Sequence, residues 1–203
     1  MANVPLPPIS KILSSPPELA TSLSILFEPS PILYSTLAPQ LSSILPQKPI
    51  ITTYAELIDI AISTLNTTWG DTLRAQFVAG HPRIGESHNL SDLSAKEQGA
   101  SNTTTTATPP EVLRRLAHLN ACYERTYPGL RYITFVNGRS RAAIAEEIEA
   151  VLEIEHSLEG GEPPLESFEA VDVGGKRWKG ELDRATQDVG RIAKSRLKAL
   201  EVE

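Results

Sequence analysis

The chain has 203 residues, of which 40% are hydrophobic and 22% are charged, an ordinary composition for a globular protein with one core. Its single cysteine, Cys122, excludes an internal disulfide framework and a cysteine-based zinc ribbon. No run of about 18 apolar residues is present, which excludes a transmembrane helix. The net charge of −6 argues against binding to nucleic acid or to anionic membranes.

Basic and acidic side chains are unevenly distributed along the chain. Residues 71–140 carry eight basic and six acidic side chains, whereas the segments on both sides are net acidic. This distribution fits chance and fits equally an anion-binding site in the middle of the sequence.

Proline residues divide the amino-terminal third into short helices. Residues 1–14, rich in proline, are predicted to form an irregular arm, because proline lacks a backbone donor and fixes φ. The first helix is predicted to start at Pro16, and a second helical segment to cover residues 31–45 with a bend at Pro39. Thr53, followed three residues later by a glutamate, predicts a capping box at the start of a third helix.

The middle of the chain contains two short predicted helices and one extended segment. A helix over residues 71–78 is predicted to end at Gly80, because glycine readily takes the left-handed conformation of a carboxyl-terminal cap. Ser94 and Glu97 have the spacing of a second capping box, which predicts a helix that begins at Ser94. Residues 131–136 are rich in aromatic and β-branched side chains but have no partner strand, so they are interpreted as an extended connector that crosses the core.

Loops and longer helices alternate in the rest of the chain. Threonine-rich residues 101–108 and the glycine- and proline-rich residues 162–175 are predicted loops. Three further helices are predicted to start at Pro109, Ser140 and Lys179. The second of them is expected to end at the glycine pair of residues 160–161. The sum is an all-α bundle of about eight helices, in a single domain over residues 15–203.

Among the four histidines, His81 is the candidate for chemistry. It follows a predicted helix end and precedes Pro82, which restricts its backbone, and a stiff loop of this kind often carries a general acid or base. His118 and His156 lie inside predicted helices and are interpreted as surface or boundary residues. The spacing of the histidines does not match a metal-ligand motif, so no metal is expected.

Two further segments each have a structural and a functional interpretation. Glu97 either completes the capping box of Ser94 or supplies a carboxylate that accepts hydrogen bonds from a substrate. Residues 137–141 form either a glycine turn with a serine cap and two solvated arginines, or a carboxylate site made of backbone N–H groups and a guanidinium. The segments by themselves do not decide between these interpretations.

Four segments occur together in one order, at residues 80–86, 94–98, 119–123 and 135–140. With them, the chain resembles the 2-oxo-4-hydroxy-4-carboxy-5-ureidoimidazoline (OHCU) decarboxylase family of urate degradation. Residues 188–197 are similar to the last helix of that family, and the resemblance spans residues 15–200. It implies an all-helical fold, no metal or organic cofactor, and often a homodimer.

The resemblance also implies roles for individual residues. His81 matches the catalytic histidine of the family, Glu97 its catalytic glutamate, and Arg139 an arginine that binds the substrate. The family's other substrate-binding positions match Pro82, Ser94, Gln98, Val136 and Asn137. Arg141 or Arg83 could share the anion site with Arg139.

The implied reaction is the loss of carbon dioxide from OHCU, an anionic ureide, to give (S)-allantoin. His81 is expected to exchange a proton with the substrate and to have a pKa near the working pH. The alternative function is a non-catalytic helical binding or scaffold module of the same fold. Residues 201–203 lack a peroxisomal Ser-Lys-Leu signal, so the expected compartment is cytoplasmic, with the peroxisome as the alternative.

Overall fold

The structure is a computed structural model that describes residues 6–86, 90–98, 108–154 and 161–200, except for the side chains of Lys96 and Glu97. Within these ranges it contains nine α-helices and no β-strand, so the predicted all-α fold is confirmed. None of the helices in these ranges combines the length and the apolar character that crossing a membrane requires. Of the predicted loop at residues 101–108, residues 101–107 lie outside the described ranges, and Thr108 lies within them.

The chain divides into two compact units. The first unit consists of Met1–His81 and Asp183–Glu203, and the second unit consists of Pro82–Leu182. The last helix, Lys176–Ala199, therefore contributes residues to both units. One domain from residue 15 to residue 203 stays a prediction.

Five α-helices of the first unit precede His81. They are α1 (Ile9–Ser14), α2 (Pro16–Phe27), α3 (Ala38–Ile44), α4 (Tyr54–Thr68) and α5 (Asp71–Ala79). A π-helical turn, Leu33–Leu37, leads into α3, and a 3-10 turn, Leu45–Gln47, follows it. Pro39 is the second residue of α3 and directly follows the π-helical turn, so its missing N–H removes one hydrogen bond from a continuous helical stretch. The predicted bend at this proline stays a prediction.

The prediction of an irregular arm over residues 1–14 is wrong for its last part, where helix α1 starts directly after Pro8. Proline just before a helix does not interrupt it, and the buried side chain of Ile12 anchors this helix in the core. The hydroxyl of Tyr54 donates to the carbonyl of Pro7 at 2.6 Å and ties the start of the chain to α4.

Helix α4 begins with the predicted capping box. The Thr53 hydroxyl accepts from the N–H of Glu56 at 3.2 Å, and the Glu56 carboxylate accepts from the N–H of Thr53 at 3.0 Å. The apolar face of the helix is buried through Leu57, Ile58, Ala61 and Leu65. The aromatic part of this core is centred on Phe77, whose ring lies 5.8 Å from that of Phe27 and 6.0 Å from that of Trp69.

The second unit contains α6 (Asp92–Glu97), α7 (Pro110–Thr126), α8 (Arg141–Leu152) and the first residues of α9 (Lys176–Ala199). Helices α7 and α8 pack against each other. The chain between them is buried at Leu130, Tyr132 and Ile133 without forming a helix or a strand, as predicted for the connector. The indole of Trp178 donates to the carbonyl of Pro128 at 3.0 Å and joins the start of α9 to the chain that follows α7.

Helix α8 starts as predicted but ends earlier. The hydroxyl of Ser140 accepts from the N–H of Ala143 at 3.1 Å, so the predicted cap is confirmed. The expected end at residues 160–161 is wrong, because Glu153 takes a left-handed conformation, with φ 59° and ψ 34°, directly after Leu152. Helix α9 starts at Lys176, three residues before the predicted start.

The predicted loop at residues 162–175 consists of irregular chain with one 3-10 turn, Leu165–Ser167. The N–H of Val171 donates to the carbonyl of Thr126 at 2.8 Å, which holds this loop against the end of α7.

Candidate active site

His81 lies two residues beyond the end of α5, where the backbone is still right-handed. Gly80 has φ −68° and ψ −17°, so the prediction of a left-handed glycine cap is wrong. Glycine is needed here for space, because a Cβ at this position would lie 2.8 Å from the Cβ of Ser30. A larger residue at Gly80 would displace the segment around Ser30 or the backbone that carries His81.

The imidazole of His81 is buried in the first unit, with 3% of the residue exposed. Its ring stands edge-on to the ring of Phe77, with 5.6 Å between the centroids, and its Nδ1 lies 3.3 Å from the Phe77 carbonyl oxygen. Because a carbonyl only accepts, this contact assigns the proton of the neutral ring to Nδ1 and the lone pair to Nε2. The arrangement therefore suits a base that acts through Nε2.

The surroundings of His81 favour its neutral form. Burial lowers the pKa of the imidazole to about 4, and the positive charge of Arg196 acts in the same direction. The carboxylate of Glu28 and the carbonyls of Phe77 and Val78 oppose this shift without cancelling it. The expectation of a pKa near the working pH is therefore wrong, because the sequence does not show how completely this ring is removed from water.

An ion-pair cluster of the second unit holds residues 82–86. Nε and Nη2 of Arg83 donate to the two carboxylate oxygens of Glu124 at 2.6 and 2.9 Å, and Nη1 donates to Glu86 at 3.1 Å. The hydrogen bonds to Glu124, and then those to Glu86, raise the pKa of the guanidinium. Because two carboxylates already neutralise it, Arg83 fixes the loop and is poorly suited to share an anion site.

Gln98, a predicted substrate-binding residue, uses its side-chain amide to bridge the same loop. Its Oε1 accepts from the N–H of Gly85 at 2.9 Å, and its Nε2 donates to the carbonyl of Arg83 at 3.1 Å. The amide of Asn120, on α7, donates to the carbonyl of Ile84 at 3.0 Å. Two amide side chains therefore fix three consecutive residues of the loop, and Asn120 had no predicted role.

Ser94 lies inside α6 rather than at its start. The helix begins at Asp92, and the hydroxyl of Ser91 accepts from the N–H of Ser94 at 3.1 Å, the hydrogen bond of an amino-terminal cap. The predicted capping box of Ser94 and Glu97 is therefore wrong, because the cap lies three residues earlier. Glu97 is the last residue of α6, so the helix dipole gives no reason to expect its ionised form to be favoured. Its side chain lies outside the described part of the chain.

Arg139 follows a tight turn in the second unit. Asn137 and Gly138 have φ of 48° and 76°, and the N–H of Arg139 donates to the Val136 carbonyl at 3.0 Å. Two successive positive φ values define a type I′ turn, which asparagine followed by glycine favours. Nε of Arg139 donates to the same Val136 carbonyl at 3.0 Å. In this structure, the turn at Val136 and Asn137 thus orients Arg139.

Most of the hydrogen-bonding capacity of Arg139 is used within the protein. Nη1 is ion-paired with the carboxylate of Glu147, and Nη2 donates to the Thr134 hydroxyl at 3.0 Å and to the Phe135 carbonyl. The other oxygen of Glu147 accepts from the hydroxyl of Tyr132 at 2.6 Å. A guanidinium has five N–H groups, so one N–H on Nη1 remains for a ligand among the contacts of the described residues. Glu147 had no predicted role.

Arg141 has more unused hydrogen-bonding capacity than Arg139. Its Nη1 donates to the hydroxyl of Thr108 at 3.1 Å. Its Nε and Nη2 are shielded from water and have no acceptor among the described residues. Burial lowers the pKa of this guanidinium. Since a buried cation with unused donors suits an anion, Arg141 is a better candidate than Arg83 to share the anion site.

The predicted site residues are divided between the two units. His81 belongs to the first unit. The second unit contains Pro82, Ser94, Glu97, Gln98, Val136, Asn137, Arg139 and Arg141. Their convergence on one pocket stays a prediction. Two surface cavities of the second unit, of about 550 and 450 Å³, are lined by other residues, among them Arg177 in the first and Arg115 in the second.

Two other reactive side chains of the second unit contact each other. Nε2 of His118 lies 2.9 Å from the carbonyl oxygen of Pro163 and 3.3 Å from Sγ of Cys122. Burial raises the pKa of the Cys122 thiol to about 11, so it is protonated at neutral pH. His118 is half-buried, as expected for a boundary residue, whereas His88 and His156 lie outside the described residues.

Comparison with known proteins identifies the family. The model of a family described as OHCU decarboxylase matches residues 14–162. Among solved structures, the chain is similar to a crystal structure of OHCU decarboxylase in the presence of (S)-allantoin, with 20% sequence identity and a TM-score of 0.53. That match covers 82% of this chain and 92% of the other, and at this identity it shows a shared fold. No curated protein matches the chain.

The helical fold and the matched family model define the class of protein, which is an all-α decarboxylase, a carboxy-lyase. Since the family model matches well over half of this chain, the chain belongs to the OHCU decarboxylase family.

Proposed function

We propose that the protein decarboxylates 2-oxo-4-hydroxy-4-carboxy-5-ureidoimidazoline to (S)-allantoin in urate degradation, without a metal or an organic cofactor. Membership of the family supports this reaction, and so does the likeness in fold to an OHCU decarboxylase crystallised in the presence of (S)-allantoin. The observation that carries the proposal is the buried ring of His81, whose contact with the Phe77 carbonyl leaves the lone pair on Nε2.

The substrate contains its own electron sink. Its carbon with the hydroxyl and the carboxylate is bonded to the ring carbon of the C=N group, which carries the ureido substituent. When carbon dioxide leaves, the electron pair of the broken bond forms a C=C bond between these two carbons, and the π pair of the C=N group moves to nitrogen. The nitrogen and the ureido-bearing carbon each take up a proton, and the hydroxyl loses one to become a carbonyl. These steps need no metal or pyridoxal group.

His81 acts as the base and then as the acid in this proposal. A pKa lowered to about 4 keeps its imidazole neutral at physiological pH, which supports removal of the hydroxyl proton by Nε2 as the first role. The protonated ring then delivers a proton to one face of the ureido-bearing carbon, which sets the chirality of allantoin. Glu97 accepts hydrogen bonds from the ureido and hydroxyl groups.

The substrate carboxylate binds to arginine. Arg139 is the residue that the family pattern indicates, and the unused donors of Arg141 support a second contact beside it. Pro82, Ser94, Val136 and Asn137 line the substrate, and Gln98 acts through the loop that it bridges. A homodimer and a cytoplasmic location stay predictions.

The test is an assay in which the substrate is generated enzymatically in the reaction mixture. Urate is supplied with urate oxidase and a hydroxyisourate hydrolase, the protein is added, and circular dichroism follows the optical activity of the product. We expect a single allantoin enantiomer to form rapidly. The non-catalytic scaffold alternative predicts the slow spontaneous racemate with or without the protein.

A pair of histidine variants locates the activity. His81→Asn removes the general base and should lower the rate by about 10²–10⁴-fold. His118→Asn changes the half-buried histidine outside the proposed machinery and should retain the rate. Wild-type turnover by His81→Asn would refute the assignment of the base.

A further inference from the structure

The carboxyl-terminal end of α2 in the first unit is held by a buried ion pair. Arg196, on α9, is 1% exposed, and its Nη2 donates to the carboxylate of Glu28 at 2.6 Å. Its Nη1 donates to the carbonyls of Ile25 and Leu26 at 3.0 and 3.2 Å. One guanidinium therefore caps the last turn of α2 and neutralises the residue that follows the helix.

Glu28 holds its position in a conformation that L-residues rarely adopt. Its φ is 65° and its ψ is 142°. Backbone strain of this kind persists where the surrounding structure imposes it, and it is often found at functional sites. Glycine would take this conformation at little cost, so the presence of glutamate is best explained by what its carboxylate does.

The segment that begins with Glu28 also packs on the residue before His81. A Cβ on Gly80 would lie 2.8 Å from the Cβ of Ser30, so the two segments are in close contact. Both charges of the ion pair act on the imidazole, since Arg196 lowers its pKa and Glu28 raises it. The helix that precedes the histidine contributes two backbone carbonyls to its surroundings.

We propose that Glu28 and Arg196 are positioning residues for His81, and that this buried pair, through the close contact of Ser30 with Gly80, fixes where the imidazole lies and which charges it faces. The effect on turnover rests on the proposed function, whereas the effect on the histidine does not. A purely structural ion pair would stabilise the contact of α2 with α9 and would leave the titration of His81 unchanged.

Removal of each charge should move that titration in opposite directions. Arg196→Met leaves the Glu28 carboxylate near the imidazole, so we expect the pKa of His81 to rise by about one unit, a tenfold change in its protonation equilibrium. Glu28→Gln leaves the guanidinium, so the pKa should fall. Asp183→Asn is the matched control, because it breaks another ion pair of this unit, between Asp183 and Arg74, which is also 2.6 Å long. This control should leave the histidine unchanged.

The measurement is an NMR pH titration of protein labelled in its histidine rings, with the His81 signal assigned from His81→Asn. Shifts of opposite sign in the two charge variants support the proposal, and a wild-type titration in both overturns it. Arg196→Lys decides the question if the other variants do not fold, because lysine keeps the charge but loses the planar fork. We then expect a wild-type titration with kcat about tenfold lower and KM unchanged, and a wild-type kcat overturns the proposal.

The titration needs no substrate, so the two claims can fail separately. A shifted titration in a protein that does not decarboxylate OHCU would remove the proposed function and support the charge coupling. Decarboxylation by the wild-type protein, together with a His81 titration that neither substitution changes, would support the function and remove the positioning role.

Discussion

The guanidinium of Arg139 is ion-paired with the carboxylate of Glu147, eight residues further along the chain. The same carboxylate accepts from the hydroxyls of Tyr132 and Thr134 at 2.6 and 3.0 Å. One acidic residue on α8 therefore organises both ends of the turn that carries the arginine. The ion pair helps to set the orientation of the guanidinium, which in the proposed function meets the substrate carboxylate.

Substitution of Glu147 should disturb this turn. In Glu147→Gln the ion pair is lost, and we expect a loss of about 1 kcal/mol in the free energy of unfolding, because both partners are partly exposed. The KM for OHCU should rise, since Arg139 loses one of the contacts that orient it. Urea unfolding and steady-state kinetics measure the two effects. Glu146→Gln, at the exposed neighbouring position, is the control, and identical behaviour of the two variants would contradict the role of Glu147.

The two arginines proposed for the anion site can be compared directly. A charge-assisted hydrogen bond to a substrate carboxylate contributes about 1.5–3 kcal/mol, so Arg139→Met and Arg141→Met should each raise KM by roughly 10- to 100-fold. Arg114→Met removes an exposed arginine of the same unit and should leave KM unchanged. A KM that Arg141→Met does not alter would show that the buried donors of Arg141 do not face the substrate.

Gln98 should control the order of the loop that it bridges. Because its Oε1 accepts from the N–H of Gly85, Gln98→Ala removes the partner of that amide. We expect amide hydrogen exchange at Gly85 to accelerate by tenfold or more, the equivalent of about 1.4 kcal/mol. Gln76→Ala, at an exposed position on α5, provides the comparison. Unchanged protection of Gly85 in Gln98→Ala would mean that the bridge does not hold the loop.

Burial of His81 predicts how stability depends on pH. Its imidazole is protonated near pH 6.5 in the unfolded chain and at about pH 4 in the folded one. Between these values the unfolded state binds more protons, so the free energy of unfolding falls as the pH is lowered from 6.5 to 4. The slope contributed by this residue is at most about 1.4 kcal/mol per pH unit.

The contribution of His81 can be isolated with a variant that does not titrate. Urea unfolding of the wild-type protein and of His81→Asn at successive pH values gives their difference, which cancels the contribution of the other ionisable groups. We expect wild-type stability to fall more steeply than that of the variant below pH 6.5. Parallel curves would show that the imidazole keeps an ordinary pKa in the folded protein.

Substitution of two glycines tests how strongly backbone conformation and crowding contribute to the stability of the second unit. Gly85 and Gly129 have φ of 86° and 80°, but only Gly85 is crowded, with Leu116 at 3.1 Å from the position of a Cβ. Gly129→Ala should therefore cost about 1 kcal/mol of stability from strain alone, and Gly85→Ala should cost more. Thermal unfolding of the two variants measures the difference. Equal losses would show that Leu116 moves aside freely.

Predictions from sequence succeeded where a structure depends on neighbouring residues. The capping box of Thr53 and the cap at Ser140 are both present, because each requires a side chain to reach a backbone N–H three residues away. The same spacing failed at Ser94, where Ser91 provides the cap instead. Leu93 is buried. A helix that begins before Leu93 places this side chain in the core, and the spacing of Ser94 and Glu97 does not show that Leu93 will be buried.

The contacts of the candidate site residues were visible in the sequence only in part, and the roles of those residues stay predictions. Chain position and the family pattern indicated His81 and Arg139, but neither indicated Glu147 as a partner. A hint was available, because Glu147 lies seven residues after the Ser140 cap and so falls on the same face of α8. Gly80 shows the opposite case, because its conformational freedom predicts a left-handed cap, whereas the structure needs glycine there for the close approach of Ser30.

By itself, the sequence determined that this protein is helical and where five of the described α-helices start, namely α2, α4, α5, α7 and α8. These features follow from residue spacing within a few turns of helix, whereas the resemblance to the family indicated His81 as the candidate base, which stays a prediction. Only the tertiary structure decided the charge state of His81, because that depends on removal from water and on Glu28 and Arg196, two residues 168 positions apart. Such a pair forms only when distant helices pack, and no local pattern along the chain encodes which charges will then meet.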